Sequence, residues 1–210
     1  MNTQAQKLRE LLASKSIATA VGVYDGFTAK IVEQAGFDAA LISGAAVATS
    51  LQGLPDNGMI TLTEMADAAK RISSCVSIPV IADADNGYGN ALNVRRTVQE
   101  FELGGCAALQ LEDQASPKKC GHMDGKEVIP TIEHCRKIEM AAATRNEMLI
   151  LARTDAATVT GIDDAINRVN EYAKAGADFV IVDAPRTVED LKKIGERVQA
   201  PVMVNLVEGG

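Results

Sequence analysis

"AKAGADFVIVDA", residues 173–184, ends a helical stretch at a glycine and begins a short apolar run three residues later. The glycine supplies a left-handed helix cap without a Cβ penalty. The run has strand length and no clear alternation, as expected for a strand buried on both faces. The same pattern recurs in "EQAGFDAALIS" (33–43) and "ELGGCAALQLED" (102–113). A variant enters the strand through proline, in "SIPVIADAD" (77–85) and "QAPVMVNL" (199–206). Proline suits a first strand position, where no ladder donor is lost.

Extended along the chain, this reading gives seven strands, at about 19–24, 38–43, 79–84, 107–112, 148–154, 178–183 and 201–206. Helical stretches such as "LTEMADAAKRI" (62–72), "NVRRTVQEFEL" (93–103) and "IDDAINRVNEYAKA" (162–175) lie between them. Such alternation is the mark of an α/β fold with a parallel sheet and right-handed crossovers. No linker or low-complexity segment divides the 210 residues, so residues 1–210 read as one domain.

A doubly wound sheet and a (β/α) barrel both fit that alternation. Polar residues stand at nearly every strand's C-terminal end: Ser43, Asp83 and Asp85, Glu112 and Asp113, Arg153 and Asp155, Asp183, and Asn205. A barrel builds its site from many strand ends, whereas an open sheet concentrates it at one switch point. The first strand is not followed by GxGxxG. The reading is therefore a TIM-type barrel. A full barrel has about eight strands and about 250 residues, and this chain stops at "VNLVEGG" after the seventh. The expectation is a barrel lacking its eighth strand and C-terminal helices, either truncated or with its open edge covered by a partner.

Bulk properties narrow the function. The net charge is −7, aromatics make up 3% and Trp is absent, which argues against a nucleic-acid partner. No apolar run reaches membrane-span length and the N-terminus has no signal-peptide pattern, so the expected place is the cytoplasm. The four cysteines form no CxxC pair, and only two histidines are present, so zinc spacing is absent. Cys75, Cys106 and Cys135 fall in helical or apolar sequence, and His134 reads as a surface helix residue without a role. Cys120 alone sits in polar, cationic company.

In "DADNGYG" (83–89), Asp83 and Asp85 are two apart and project to the same side of an extended strand end. Glu112 would arrive from the neighbouring strand and Asp56 from the loop after strand two. This oxygen-only set suits Mg²⁺ or Mn²⁺, though each acid taken alone is equally a helix cap. In "LISGAA" (41–46), Ser43 and Gly44 form either an ordinary βα turn or backbone amides approaching a carboxylate. Arg153 in "LARTDA" suits a bidentate clamp on a substrate carboxylate, or a pairing with an acid such as Asp155.

The segment from Asp113 to Pro130 is long for a βα loop and has the character of a flap over a ligand. Within it, "SPKKCGHMDGK" (116–126) places Lys118 and Lys119 beside Cys120, an arrangement expected to favour its thiolate. Gly121 and Gly125 let the loop fold tightly, and His122 is placed to orient substrate or relay a proton.

These residues resemble the isocitrate lyase/phosphoenolpyruvate mutase superfamily, and within it the short carbon–carbon lyases of the 2-methylisocitrate and 2,3-dimethylmalate type. The likeness spans "GVYDGFTAKIVEQAGFDAALISGAAVA", "GLPDNGMITLTEM", "IPVIADADNGYGN", "LQLEDQ", "KKCGH", "LARTDA" and "VNL", with "KKCGH" the most specific. The resemblance implies Mg²⁺ at Asp83 and Asp85, with Asp56 and Glu112 supporting it through waters. It implies that Ser43, Gly44 and Ala45 hold the substrate carboxylate and that Arg153 and Asn205 grip substrate. Lys119, Cys120, Gly121 and His122 would be the active segment of the loop.

The implied reaction cleaves a 2-hydroxy di- or tricarboxylate to pyruvate and a second carboxylate, with Cys120 as general acid. Asp183 in "VDAP" stands where the family commonly has Glu, which bears on which group takes the hydroxyl proton. Family members also continue through helices exchanged between subunits, so a homo-oligomer is expected. Competing readings are oxaloacetate hydrolysis or decarboxylation within the superfamily, a phosphate-binding barrel, and a non-catalytic barrel fragment.

Overall fold

The computed structural model describes residues 3–14, 17–121, 123 and 125–206. Its strands are β1 (Ala20–Val23), β2 (Ala39–Ile42), β3 (Val80–Asp83), β4 (Ala108–Glu112), β5 (Leu149–Thr154), β6 (Phe179–Val182) and β7 (Val202–Met203). Its helices are α1 (Gln4–Ser14), α2 (Gly26–Gln34), α3 (Gly44–Val47), α4 (Leu62–Cys75), α5 (Ala91–Leu103), α6 (Thr131–Thr144), α7 (Ile162–Lys174) and α8 (Val188–Arg197). Every strand pairing is parallel and the spatial order is the chain order. The sheet curls into a half-barrel, a partial TIM-type barrel. Among the described residues β1 and β7 do not pair, so the curl is open between them.

The local reasons match the sequence pattern. β4 and β6 are buried at every position, as strands covered on both faces must be. The glycines that end the preceding helices, Gly36, Gly105 and Gly176, take φ of +82°, +85° and +114°. Reciprocal capping boxes start four helices, at Asp25/Thr28, Thr61/Glu64, Asn90/Asn93 and Thr187/Asp190. The seventh strand is shorter than expected because it pairs only with β6, and only at Val202 and Met203.

Two apolar layers fill the fold. The larger lies between sheet and helices and includes Phe101, Leu109, Leu111, Ile150, Val180 and Tyr172. The smaller lies inside the curl, where Ala5 and Leu8 of α1 meet Ile81, Leu149, Leu151, Phe179 and Ile181. α1 is fastened across the N-terminal end of the sheet by polar contacts. Lys7 Nζ donates to the Ser77 carbonyl at 2.7 Å and Arg9 Nη2 to the Glu147 carbonyl at 3.1 Å. No helix is assigned here from sequence, although Leu8, Leu11 and Leu12 carry helical spacing.

One carboxylate sets the entry of β5, whose far end carries Arg153. Glu102 on α5 accepts from the Asn146, Glu147 and Met148 amides at 2.7–3.0 Å. Partial burial pushes its pKa up, but the amides of Met148, Asn146 and Glu147 outweigh burial and hold it below the ordinary value. Glu102→Ala is expected to cost about 1 kcal/mol in urea denaturation at pH 7, because water reaches and screens this carboxylate. Because the folded pKa is the depressed one, this contribution is present above the unfolded pKa and fades as pH falls through the folded value.

Candidate active site

One cavity of about 1030 Å³ runs along the open curl, from Leu8, Phe37 and Phe179 near the N-terminal ends of the strands to Ser43, Asp83, Glu112, Cys120, Arg153 and Asp183 at their C-terminal ends. Ala45, Asp56, Gly121 and Asn205 also face it. Gly44 and Asp85 stand just behind the wall, joined to it through Asp83 and Lys118. Lys119 is not in the wall, and His122 lies outside the described residues.

At the end of β3, Asp83 organises its neighbours. Its Oδ1 accepts from the Asp85 amide at 3.0 Å and its Oδ2 from the Gly44 amide at 3.3 Å. A Cβ on Gly44 would lie 2.9 Å from that Oδ2, so only glycine allows this approach. Ser43 caps α3, its hydroxyl accepting from the Ala46 amide at 3.2 Å. Asp85 takes φ +49°, which turns its side chain toward the loop after β4. Its Oδ1 lies 2.7 Å from Lys118 Nζ, which also pairs with Asp56. Burial first, and then the Asp83 charge, push the Asp85 pKa up to about 6 against the opposing pull of Lys118. Glu112 is buried, with Oε1 lacking a hydrogen-bond partner. Burial drives its pKa well up, opposed by Arg153 and Lys118.

This arrangement corrects the expectation for the two loop lysines. Lys118 does not attend the thiol. Its ammonium is buried among acids, where Asp83, Asp85, Glu112 and Asp56 raise its pKa against the burial that lowers it. Lys119 Nζ donates to the Gly125 carbonyl at 2.8 Å. Buried, crowded carboxylates have the stronger claim on a cation than a partly exposed thiol does.

Arg153 forms the second cluster. Nε and Nη2 make a bidentate pair with Asp155 at 2.9 and 2.8 Å, and Nη2 also reaches Asp183 Oδ2 at 2.8 Å. Of the two sequence readings, pairing with Asp155 is the one observed, and that edge of the fork is already occupied. Asn205 Nδ2 donates to Asp183 Oδ1 at 2.9 Å, joining β7's exit to the cluster. Burial raises the Asp155 pKa, but Arg153 and Lys126 pull it net below its ordinary value.

The loop from Asp113 to Pro130 folds over both clusters. Its stems run antiparallel, with the Gln114–Val128 bridge, Ala115 N–H donating to the Glu127 carbonyl and Ile129 N–H to the Asp113 carbonyl. Asp113 anchors it, accepting from Thr154 Oγ1, the Asp155 amide, Tyr172 Oη and Arg168 Nη1 at 2.7, 2.9, 2.7 and 3.2 Å. Sequence reasoning assigned no role to Arg168, Tyr172 or Thr154, since their shared partner is distant in the chain. His134 is a correction. It is fully buried, stacked edge-on against Tyr172 at 4.5 Å, and burial with the nearby Lys137 and Arg168 charges pushes its pKa down to about 3. The other cysteines agree with their structural reading, Cys106 and Cys135 being buried and Cys75 partly so.

Residues 8–210 match the phosphoenolpyruvate phosphomutase family model. The chain is 47% identical to 2,3-dimethylmalate lyase of Eubacterium barkeri, covering 100% of this chain and 73% of that protein. It is 45% identical to 2-methylisocitrate lyase of Aeropyrum pernix, covering 97% of this chain and 66% of that one. The chain thus spans about two thirds of the length of these relatives. It superposes on a crystal structure of oxaloacetate acetylhydrolase with a TM-score of 0.95 at 34% identity, covering 99% of this chain and 73% of that one. The chain belongs to the phosphoenolpyruvate mutase/isocitrate lyase superfamily.

Proposed function

We propose that this protein is a carbon–carbon lyase that cleaves a 2-hydroxy di- or tricarboxylate, of the 2,3-dimethylmalate or 2-methylisocitrate kind, to pyruvate and a second carboxylate. The observation that carries the reading is that Cys120 and the acids Asp83 and Glu112 line the same cavity. A proton donor and a hard-cation donor set within reach of one substrate are what such a cleavage needs.

The donor set fits Mg²⁺. Asp83, Asp85, Asp56 and Glu112 offer only oxygens, and Glu112 Oε1 is buried without a partner. Among the described residues no three His, Cys, Asp or Glu side chains form a closed metal cage. Mg²⁺ would therefore rest on few protein ligands and keep several waters. Asp83 and Asp85 would hold it, with Asp56 and Glu112 behind them and Lys118 giving up its pair with Asp85. When bound, it would supply the charge that chelates the substrate's hydroxyl and adjacent carboxylate and eases loss of the hydroxyl proton.

The chain's own groups do the rest. Ser43 and Ala45 line the cavity, suited to the carboxylate of the hydroxy-acid end, and the Gly44 amide behind them would join them on release from Asp83. Arg153 and Asp183 line the same cavity, and the second carboxylate would lie beside the guanidinium. A carboxylate of the cavity wall takes the hydroxyl proton, and as the hydroxyl carbon becomes a ketone the broken bond's electrons pass to the carbon next to that second carboxylate. Cys120 gives its thiol proton to this carbon, leaving a thiolate that solvent reprotonates. Gly121 brings the loop onto the Arg153–Asp183 pair and closes the cavity above the reacting carbon. Oxaloacetate hydrolysis is the second reading, favoured by the likeness to oxaloacetate acetylhydrolase.

Pyruvate release from 2,3-dimethylmalate, 2-methylisocitrate, isocitrate and oxaloacetate, with Mg²⁺ and with EDTA, tests the proposal. It predicts metal-dependent release from one of the first two, lowered about 10²–10⁴-fold in Cys120→Ser. Acetate and oxalate formed from oxaloacetate alone would favour the second reading. Cation binding should also depend on pH in a definite sense. Asp85 holds its proton up to about pH 6, and that proton competes with the ion. Mg²⁺ affinity by calorimetry should rise up to about tenfold per pH unit below that value and level off above it. Gly121→Ala tests the seat of the loop, because a Cβ there would lie 2.1 Å from Asp183 Oδ2 and 2.3 Å from Arg153 Nη2. Both atoms are locked in the buried cluster, so kcat should fall about a hundredfold through misplacement of the loop.

A further inference from the structure

We infer that Gln114 and Lys126 are positioning residues for Cys120, each pinning the backbone on one side of it. The kinetic half of this inference rests on the lyase reading, and the half concerning thiol placement does not.

Gln114 follows the end of β4 and is 1% exposed. Its carboxamide makes two bonds to one residue: Nε2 donates to the Lys119 carbonyl at 2.8 Å and Oε1 accepts from the Lys119 amide at 2.9 Å. This is the pairing a neighbouring strand would make, supplied by a side chain. The Lys119 carbonyl belongs to the peptide whose nitrogen is that of Cys120, so the clasp fixes the plane from which the cysteine departs.

On the other side, Lys126 Nζ donates to the Gly121 carbonyl and lies 3.4 Å from Asp155 Oδ1. The Lys126 side chain is buried, and its charge is balanced by the carboxylate that also holds Arg153. The two clasps therefore ground the loop tip in different strands, Gln114 through β4 and Lys126 through the residue after β5. The Gln114 carbonyl and Ser116 Oγ also receive Asn86 Nδ2 at 3.5 and 2.8 Å, which steadies the near stem.

Neither Gln114 nor Lys126 lines the cavity. Any effect they have on chemistry must pass through the loop. The chemical nature of each clasp is also specific. A carboxamide presents one donor and one acceptor, matching one amide and one carbonyl, and both are used. A carboxylate of the same shape would keep the bond to the Lys119 amide but set a charge against the Lys119 carbonyl.

The test uses the full chain and iodoacetamide, with site-resolved mass spectrometry of Cys120 and of the partly exposed Cys75 as internal control. Gln114→Ala and Lys126→Met should each raise the Cys120 alkylation rate about tenfold by freeing the loop tip, leaving Cys75 unchanged. Gln114→Glu should behave like the alanine variant although it preserves the packing, and Lys126→Arg should restore part of the protection. In turnover, kcat should fall with KM little changed, because placement of the proton donor and not substrate binding is impaired.

Three results would overturn the inference. One is Cys120 alkylation within about twofold of the parent in both Gln114→Ala and Lys126→Met, less than even one lost hydrogen bond implies. The others are a parallel rise at Cys75 and a Gln114→Glu variant that matches the parent, either of which would make the role general packing. A selective rise at Cys120 in a parent that cleaves none of the substrates would sustain the clasps while removing the lyase reading.

Discussion

The buried guanidinium of Arg153 is the point on which the site depends. It holds Asp155 through two bonds and Asp183 through a third, with Glu112 3.5 Å away, so three strand ends share one cation. Asp155 in turn receives Lys126 from the loop, and Asp183 receives Asn205 from beyond β7. Removing one member of such a set strands a buried charge, at a cost of about 3–5 kcal/mol. The cluster therefore ties the ends of β4, β5 and β6 to one another.

A second cation plays the matching part at the other wall. Lys118 belongs to the loop, whereas Asp85 follows β3 and Asp56 precedes α4. Docking of the loop and neutralisation of these acids are thus one event. The loop brings two cations, Lys118 to the β3 side and Lys126 to the β5 side, and Cys120 and Gly121 lie between them in the chain. Charge complementarity seats the loop, and the short backbone clasps refine where its tip lies.

Much of the fold was legible because it rests on local signals. Gly36, Gly105 and Gly176 close helices through positive φ, a local property, and the apolar runs after them are strands. The strand-end acids were legible as a set for the same reason, since alternation places Asp83 and Glu112 at the same end of parallel strands. What the sequence could not carry was the partner of each charge. Lys118 and Lys119 adjoin Cys120 in the chain, yet their ammonium groups lie against Asp85 and the Gly125 carbonyl. His134 sits in a polar helical stretch, and only the packing of α6 against α7 and Tyr172 buries it. Asp113 draws donors from residues 41 to 59 positions away, a span over which spacing says nothing.

In the proposed cleavage a group fixed on the protein delivers a proton to carbon after the bond breaks. Cleavage of 2,3-dimethylmalate in deuterium oxide reads this out in the configuration of the 2-deuteropropionate formed. A thiol held by the loop on one side of the cavity predicts a single configuration, with one deuterium per molecule. An equal mixture of the two configurations would mean that solvent, and not Cys120, quenches the carbanion, and would contradict the account.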